Sequence, residues 1–138
     1  MTDPRLDLNY VFVYGTLKRG HYNHNHLEKS LFLSNAQVKG ELLDIGPFPG
    51  LLGKKNDNSK PKFVQGEVYL VDNETLARLD KLEGEGSLYH RKSTIAHCGQ
   101  HRTARVFSVW AYYWGSHTDY PVIESGEWEL TPYRQATY

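Results

Sequence analysis

Apolar positions in this chain fall mostly into short runs of period two, broken by glycine, proline and polar clusters. "LNYVFVY" (8–14) is β-branched and aromatic and stops at Gly15, which predicts a central first strand. The polar "HYNHNHLEKS" (21–30) predicts a short helix, leading into "AQVKGELLDI" (36–45), a strand by alternation. "GPFPG" (46–50) is a turn cluster, and "GKKNDNSKPK" (53–62) reads as an exposed loop whose mixed charges serve solvation. "FVQGEVYLV" (63–71) returns to strand. The period then changes: "DNETLARLDKLEGEG" (72–86) predicts a helix, with Asp72 or Asn73 capping its start and Gly84 its end. "LYHRKSTIA" (88–96) and "RVFSVWAYYW" (105–114) predict two further strands joined by the turn "HCGQH", and the tail "SGEWELTPYRQATY" is irregular or a last helical turn packed through Trp128. Many strands and few helices, without regular alternation, indicate an α+β fold.

The helix carries an anomaly. At about 100° per residue, Leu76, Leu79 and Glu83 follow i, i+3, i+7, so the Glu83 carboxylate projects from the face of the two leucines. Asp80 flanks that face, while Arg78 and Lys81 point away and cannot neutralise it. Glu83 also stands in the last turn, where the carbonyl end of the helix dipole disfavours an anion. Burial and dipole both raise the expected pKa, at a cost to folding of about 1 kcal/mol or more. A functional acid or base explains such a residue, and so does an ordinary carboxylate paired with Arg91 or a tyrosine. Periodicity leaves both readings open; Glu85, in the glycine loop beyond, reads as solvated.

Composition narrows the field. The 138 residues predict one domain, 1–138, and 16 Lys+Arg against 16 Asp+Glu give no net charge to favour nucleic acid or an anionic membrane. Cys98 is the single cysteine, so an intrachain disulfide and a CxxC motif are excluded and a reducing compartment is expected. No run approaches the roughly eighteen apolar residues of a membrane span, and the opening "MTDPRLDLNY" has no apolar leader core, so a cytoplasmic protein, monomeric by default, is expected. Ten tyrosines and three tryptophans exceed what a small core demands, and some are expected to line a pocket.

The stretch "VYGTLKRG" (13–20) is the second focus. A strand ending in Gly15-Thr16 can present consecutive backbone N–H groups to a carboxylate or an oxyanion, and a glycine lets that group approach closely. Neither GxxxxGK[ST] nor GxGxxG is present, so nucleotide binding gains little support, and Lys18-Arg19 reads as a solvated edge. His21, His24 and His26 lack zinc-site spacing and a Cys partner, so no metal is assigned. Cys98 has histidines nearby, but in a hairpin turn remote from the expected pocket, which disfavours a nucleophilic pair. Arg91, two residues after Tyr89 on one strand face, either neutralises a substrate carboxylate or pairs with Asp80 or Glu83; pairing with Glu83 would lower that residue's pKa.

Taken together, "VFVYGTLKRG" followed by "LARLDKLEG", "LYHR" and "SGEW" resembles the γ-glutamyl cyclotransferase-like family, most closely its γ-glutamylamine branch, from residue 11 to residue 128. The resemblance implies a mixed sheet curled into a partly closed barrel with a few flanking helices, and no metal or organic cofactor. It implies Glu83 as the catalytic glutamate, and Tyr14, Gly15, Thr16 and Leu17 as the loop holding a glutamyl moiety. Tyr89 and Tyr112 become pocket tyrosines, with Phe48 and Pro49 of "GPFPGLL" walling the cavity. The implied reaction is attack of a substrate α-amine on its own γ-carbonyl, closing 5-oxoproline and expelling an amine or amino acid. The partner would be a small γ-glutamyl molecule, with no nucleic acid and no membrane. Two other readings remain: a non-catalytic module binding a γ-glutamyl compound on the same fold, and an anion binder using Lys18 and Arg19.

Overall fold

The computed structural model of the chain describes residues 7–53, 60–99 and 105–129. Its strands are β1 (Leu8–Val13), β2 (Leu31–Lys39), β3 (Glu41–Asp44), β4 (Pro49–Leu52), β5 (Phe63–Asp72), β6 (Tyr89–Cys98) and β7 (Arg105–Trp114), with one helix, α1 (Asn73–Glu83). Strands β1, β5, β2, β6 and β7 are neighbours in that order, each pair antiparallel, and a parallel contact of Val11 with Trp110 closes β7 onto β1. The result is a closed five-stranded mixed barrel, in keeping with the curled mixed sheet expected. The β3–β4 hairpin hangs from β7 through the parallel contact of Leu51 with Tyr113.

Period-two alternation sorts the side chains between two cores. Phe12, Val38, Val64, Val68, Ala96, Val109 and Ala111 come from all five barrel strands and fill the interior, together with Trp128 from the tail. Val11, Val13, Tyr69 and Val71 face the other way and meet Leu76 and Leu79 of α1 and Leu27. Leu79 and Leu27 are fully buried there, each contributing about 1.5–3 kcal/mol of transfer free energy. This second core holds the helix against β1 and β5. The helix starts where expected, with the Asp72 carboxylate accepting from the Thr75 N–H at 2.7 Å, and ends at Gly84 in the left-handed conformation (φ 61°).

Four expectations about single elements are revised. The predicted strand 36–45 is two strands meeting at a corner: a β-carbon at Gly40 would lie 2.4 Å from the Leu52 carbonyl oxygen, so only glycine fits. The helix expected over 21–30 shrinks to one 3₁₀ turn, His24–Leu27, because Leu31 onward pairs with β5 across an irregularity between Phe32 and Ser34. The turn cluster also yields a strand, with Pro49 at its first position, where its missing N–H is tolerated. In place of a few flanking helices there is one α-helix among the described residues. Most of the predicted loop 53–62, part of "HCGQH" and the tail from 130 lie outside the described residues, whereas Trp128 is fully buried. No helix among the described residues is long and apolar enough to cross a membrane.

Candidate active site

Where β1 ends, alternation turns Tyr14 into the barrel. Its hydroxyl donates to the Tyr112 carbonyl at 2.6 Å and accepts from the Leu51 N–H at 3.1 Å, fixing the strand end to β7 and β4. The next residue must be glycine, since a β-carbon at Gly15 would meet the Pro49 ring at 2.7 and 2.8 Å. The chain then folds back on itself. Lys18 N–H donates to Gly15 O (3.0 Å), Asn23 N–H to Thr16 O (2.9 Å) and Asn23 Nδ2 to Thr16 Oγ1 (3.0 Å), while His24 Nδ1 meets Leu17 O at 2.9 Å. These contacts occupy the carbonyls of the loop. The N–H groups of Gly15, Thr16 and Leu17 donate to no group among the described residues, leaving a set of donors suited to an anion.

The helix end arrives opposite. Gly84 O accepts from the Ser87 and Leu88 N–H groups, both at 3.0 Å, and Gly86 N–H donates to Tyr89 O at 2.9 Å, so a tight turn sets the start of β6 beside the end of α1. Tyr89 packs its ring 5.4 Å from Trp114 and 6.4 Å from Phe48, and its hydroxyl donates to Pro49 O at 2.7 Å. Between these elements lies a recess of about 340 Å³ including its open mouth, lined by Phe12, Val13, Tyr14, Gly15, Thr16, Leu17, Phe48, Pro49, Glu83, Tyr89 and Tyr112. Nine residues singled out from the sequence thus share one cavity. Phe12 and Val13 were not singled out, since strand periodicity reads them simply as core.

Burial alone pushes the Glu83 carboxyl up to about 7, and no cation pairs with it among the described residues. Burial also holds the Tyr14 hydroxyl well above the usual phenol range, with Tyr89 and Glu83 adding to the effect. Tyr89 and Tyr112 are raised for the same first reason. Arg91 is not among the lining residues: its Nε lies 3.0 Å from Asp80 Oδ1 and its guanidinium sits 4.4 Å over the Trp110 ring. Of the roles left open for Arg91, pairing with Asp80 is the one seen. The same Oδ1 accepts from the Tyr112 hydroxyl at 2.7 Å. The sequence placed Asp80 at the flank of the helix face; what it could not give was the β6–β7 register that sets Arg91 opposite Tyr112.

Lys18 differs from the solvated edge expected, while Arg19 is exposed as expected and carries a partner. Lys18 is 6% exposed and donates from Nζ to Trp128 O at 2.8 Å, and burial lowers its pKa. Arg19 uses its N–H (2.9 Å) and Nε (3.3 Å) on Glu67 and lies 3.9 Å over Phe32. His21 packs on Trp128 with centroids 5.2 Å apart. Among the described residues no three His, Cys, Asp or Glu side chains converge as metal ligands.

Comparison with known proteins agrees with this architecture. Residues 11–130 match the family model described as gamma-glutamyl cyclotransferase, AIG2-like, and the chain belongs to that family. A Vibrio cholerae protein provisionally named a gamma-glutamylcyclotransferase is 39% identical over 121 residues, covering 86% of this chain and 93% of that protein. A Niallia circulans protein named gamma-L-glutamyl-butirosin B gamma-glutamyl cyclotransferase is 32% identical over 130 residues, covering 91% of this chain and 78% of that protein. The crystal structure of a mouse AIG2-like protein shares the fold, with a TM-score of 0.72 over 88% of each chain at 23% identity.

Proposed function

We propose that this protein is a cyclotransferase that converts γ-glutamyl amines or γ-glutamyl amino acids to 5-oxoproline and a free amine. The observation that carries this reading is the pairing of one unneutralised carboxyl, Glu83, with three unoccupied backbone donors, Gly15 to Leu17, across a small cavity. Intramolecular aminolysis needs little else. The substrate supplies both nucleophile and electrophile, so the protein must fold the glutamyl chain, move protons and receive developing negative charge.

In this mechanism the α-amine attacks the γ-carbonyl carbon, the new C–N bond closes the five-membered ring, and the original amide C–N bond breaks as the leaving nitrogen takes a proton. Glu83, with a carboxyl near neutrality, takes the proton released by the attacking α-ammonium and returns it to the leaving nitrogen. One group serves both steps because its pKa lies near the working pH. The donors of Gly15, Thr16 and Leu17 hold an anionic end of the substrate or the tetrahedral oxyanion. Tyr89 and Tyr112 have their hydroxyl hydrogens committed to Pro49 O and Asp80. They offer the cavity ring surface and oxygen lone pairs, a lining suited to an ammonium group.

The test is incubation of the purified protein with a panel of γ-glutamyl amines and amino acids, reading 5-oxoproline by mass spectrometry, with Glu83→Gln alongside. Release that depends on Glu83 is expected, and the preferred leaving group names the substrate. Binding of panel members without release would support the non-catalytic module instead.

A further inference from the structure

The cavity meets solvent on one side. Nine of its eleven lining residues are buried and only Phe48 and Glu83 are partly exposed, so its mouth lies where these two stand. The backbone donors of Gly15 to Leu17 belong to the buried side. A glutamyl end held by those donors, with its leaving nitrogen at Glu83, directs the rest of the leaving group outward past the Phe48 ring. What that group touches is then decided by the residues beside Phe48.

Tyr22 is the ring placed there. The turn after Leu17 brings it back to the substrate loop, since Asn23 donates from its backbone N–H to Thr16 O at 2.9 Å and from Nδ2 to Thr16 Oγ1 at 3.0 Å. Tyr22 then spans to the opposite wall: its hydroxyl donates to Pro47 O at 3.2 Å, one residue before Phe48. It lies near enough to the Tyr89 hydroxyl to add to the upward shift of that group. Yet Tyr22 is 46% exposed, whereas the lining tyrosines Tyr14, Tyr89 and Tyr112 are 6% exposed or less. A tyrosine already anchored by its polar tip loses little freedom when a ligand covers its ring, so it makes an effective contact surface.

We propose that Tyr22 is a specificity-determining residue: with Phe48 it forms the subsite for the leaving group, and it selects γ-glutamyl compounds whose leaving amine carries an aromatic or extended apolar substituent. This rests on the cyclotransferase reading and deepens it by naming the substrate class. The bond that breaks is the same amide C–N bond, and its nitrogen takes the proton from Glu83. Tyr22 touches only the departing amine and has no part in the proton transfers. Its hydroxyl hydrogen is committed to Pro47 O, which leaves the ring as the contact it offers.

The test compares two substrates with the same glutamyl end, γ-glutamyl benzylamide and γ-glutamyl methylamide, and reads the ratio of their kcat/KM from 5-oxoproline release. Differences in intrinsic leaving ability cancel when each variant is compared with wild type. Tyr22→Ala is expected to lower the benzylamide-to-methylamide ratio about fivefold, the scale of one lost aromatic pair, and Tyr22→Phe, which keeps the ring, to lower it less than about twofold. A merely structural role weakens both substrates alike and leaves the ratio where it was. An unmoved ratio in Tyr22→Ala, or a fall in Tyr22→Phe as deep as in Tyr22→Ala, would overturn the proposal. Should Tyr22→Ala not fold, as its amide spectrum would show, Tyr22→Gln removes the ring while keeping a hydrogen-bond donor and is judged by the same ratio. If neither amide releases 5-oxoproline, the ratio of their dissociation constants, measured by calorimetry, takes the place of turnover. A fall of that ratio in Tyr22→Ala would sustain the subsite while the cyclotransferase reading fails, and no fall would sink both.

Discussion

Two glutamates flank the loop that runs from Tyr14 to Arg19, and they are treated in opposite ways. Glu67, 8% exposed on β5, accepts from the Arg19 N–H at 2.9 Å, the Arg19 Nε at 3.3 Å and the Tyr69 hydroxyl at 3.0 Å. It is saturated. Glu83, at the other side, meets a cavity, aromatic rings and no cation among the described residues. A buried acid is therefore not in itself a sign of chemistry. The informative feature is a carboxyl that nearby donors could satisfy and do not, since such a group costs stability unless something else uses it.

The sharpest way to break this comparison is to neutralise each acid in turn. Glu83→Gln is expected to lower kcat by about 10³-fold, the usual scale of a lost general acid–base, while urea unfolding shows no loss of stability. Glu67→Ala is expected to do the reverse. Removing an acceptor of three hydrogen bonds, one from a partly exposed guanidinium, costs about 2–3 kcal/mol in urea unfolding. Turnover per folded molecule should change only a few-fold. If Glu67→Ala abolished kcat with an unchanged unfolding midpoint, the roles given to the two acids would have to be exchanged.

A smaller effect is expected where the loop meets its wall. A methyl at Gly15 must displace the Pro49 ring, which its β-carbon would approach to 2.7 Å. Overpacking of this kind costs about 1–3 kcal/mol. Because Pro49 O also receives the Tyr89 hydroxyl, the shift propagates across the cavity, and Gly15→Ala is expected to raise KM about tenfold, near 1.4 kcal/mol of lost binding. Steady-state kinetics with the best substrate of the panel checks this. An unchanged KM would mean that the glutamyl group does not lie against this loop.

Much of the site was legible in the chain because it rests on local signals. The i, i+3, i+7 spacing of Leu76, Leu79 and Glu83, the cap at Asp72 and the glycine at 84 depend on neighbours within one helix, and "YGTL" depends on a strand meeting a glycine. The strand corner at Gly40 was not legible, because its cause is the Leu52 carbonyl twelve residues away. Nor were the partners of Lys18, Arg19 and Arg91. Their acceptors, Trp128, Glu67 and Asp80, are set by how separate elements close around the barrel. Charge in sequence indicates that a partner is needed; only the packing of elements decides which acid becomes saturated and which stays open.

The finest test of the difference between the two acids is the pH dependence of stability. The Glu83 carboxyl titrates at about 7 in the folded protein, against about 4.3 in an unfolded chain. The folded state therefore holds this proton more tightly, and the stability that comes with it is fully present below the unfolded value and is lost as pH rises through the folded one. Glutamine at this position cannot titrate. The stability of Glu83→Gln relative to wild type should accordingly rise between about pH 4.3 and pH 7 and level off above it. Because the carboxyl opens on a cavity with access to solvent, the change is discounted from the full shift to about 1 kcal/mol. Urea midpoints of the two proteins at acid and mildly alkaline pH measure it. A constant difference across that window would mean that Glu83 carries no raised affinity for a proton, and the argument for it as the proton carrier would lose its physical basis.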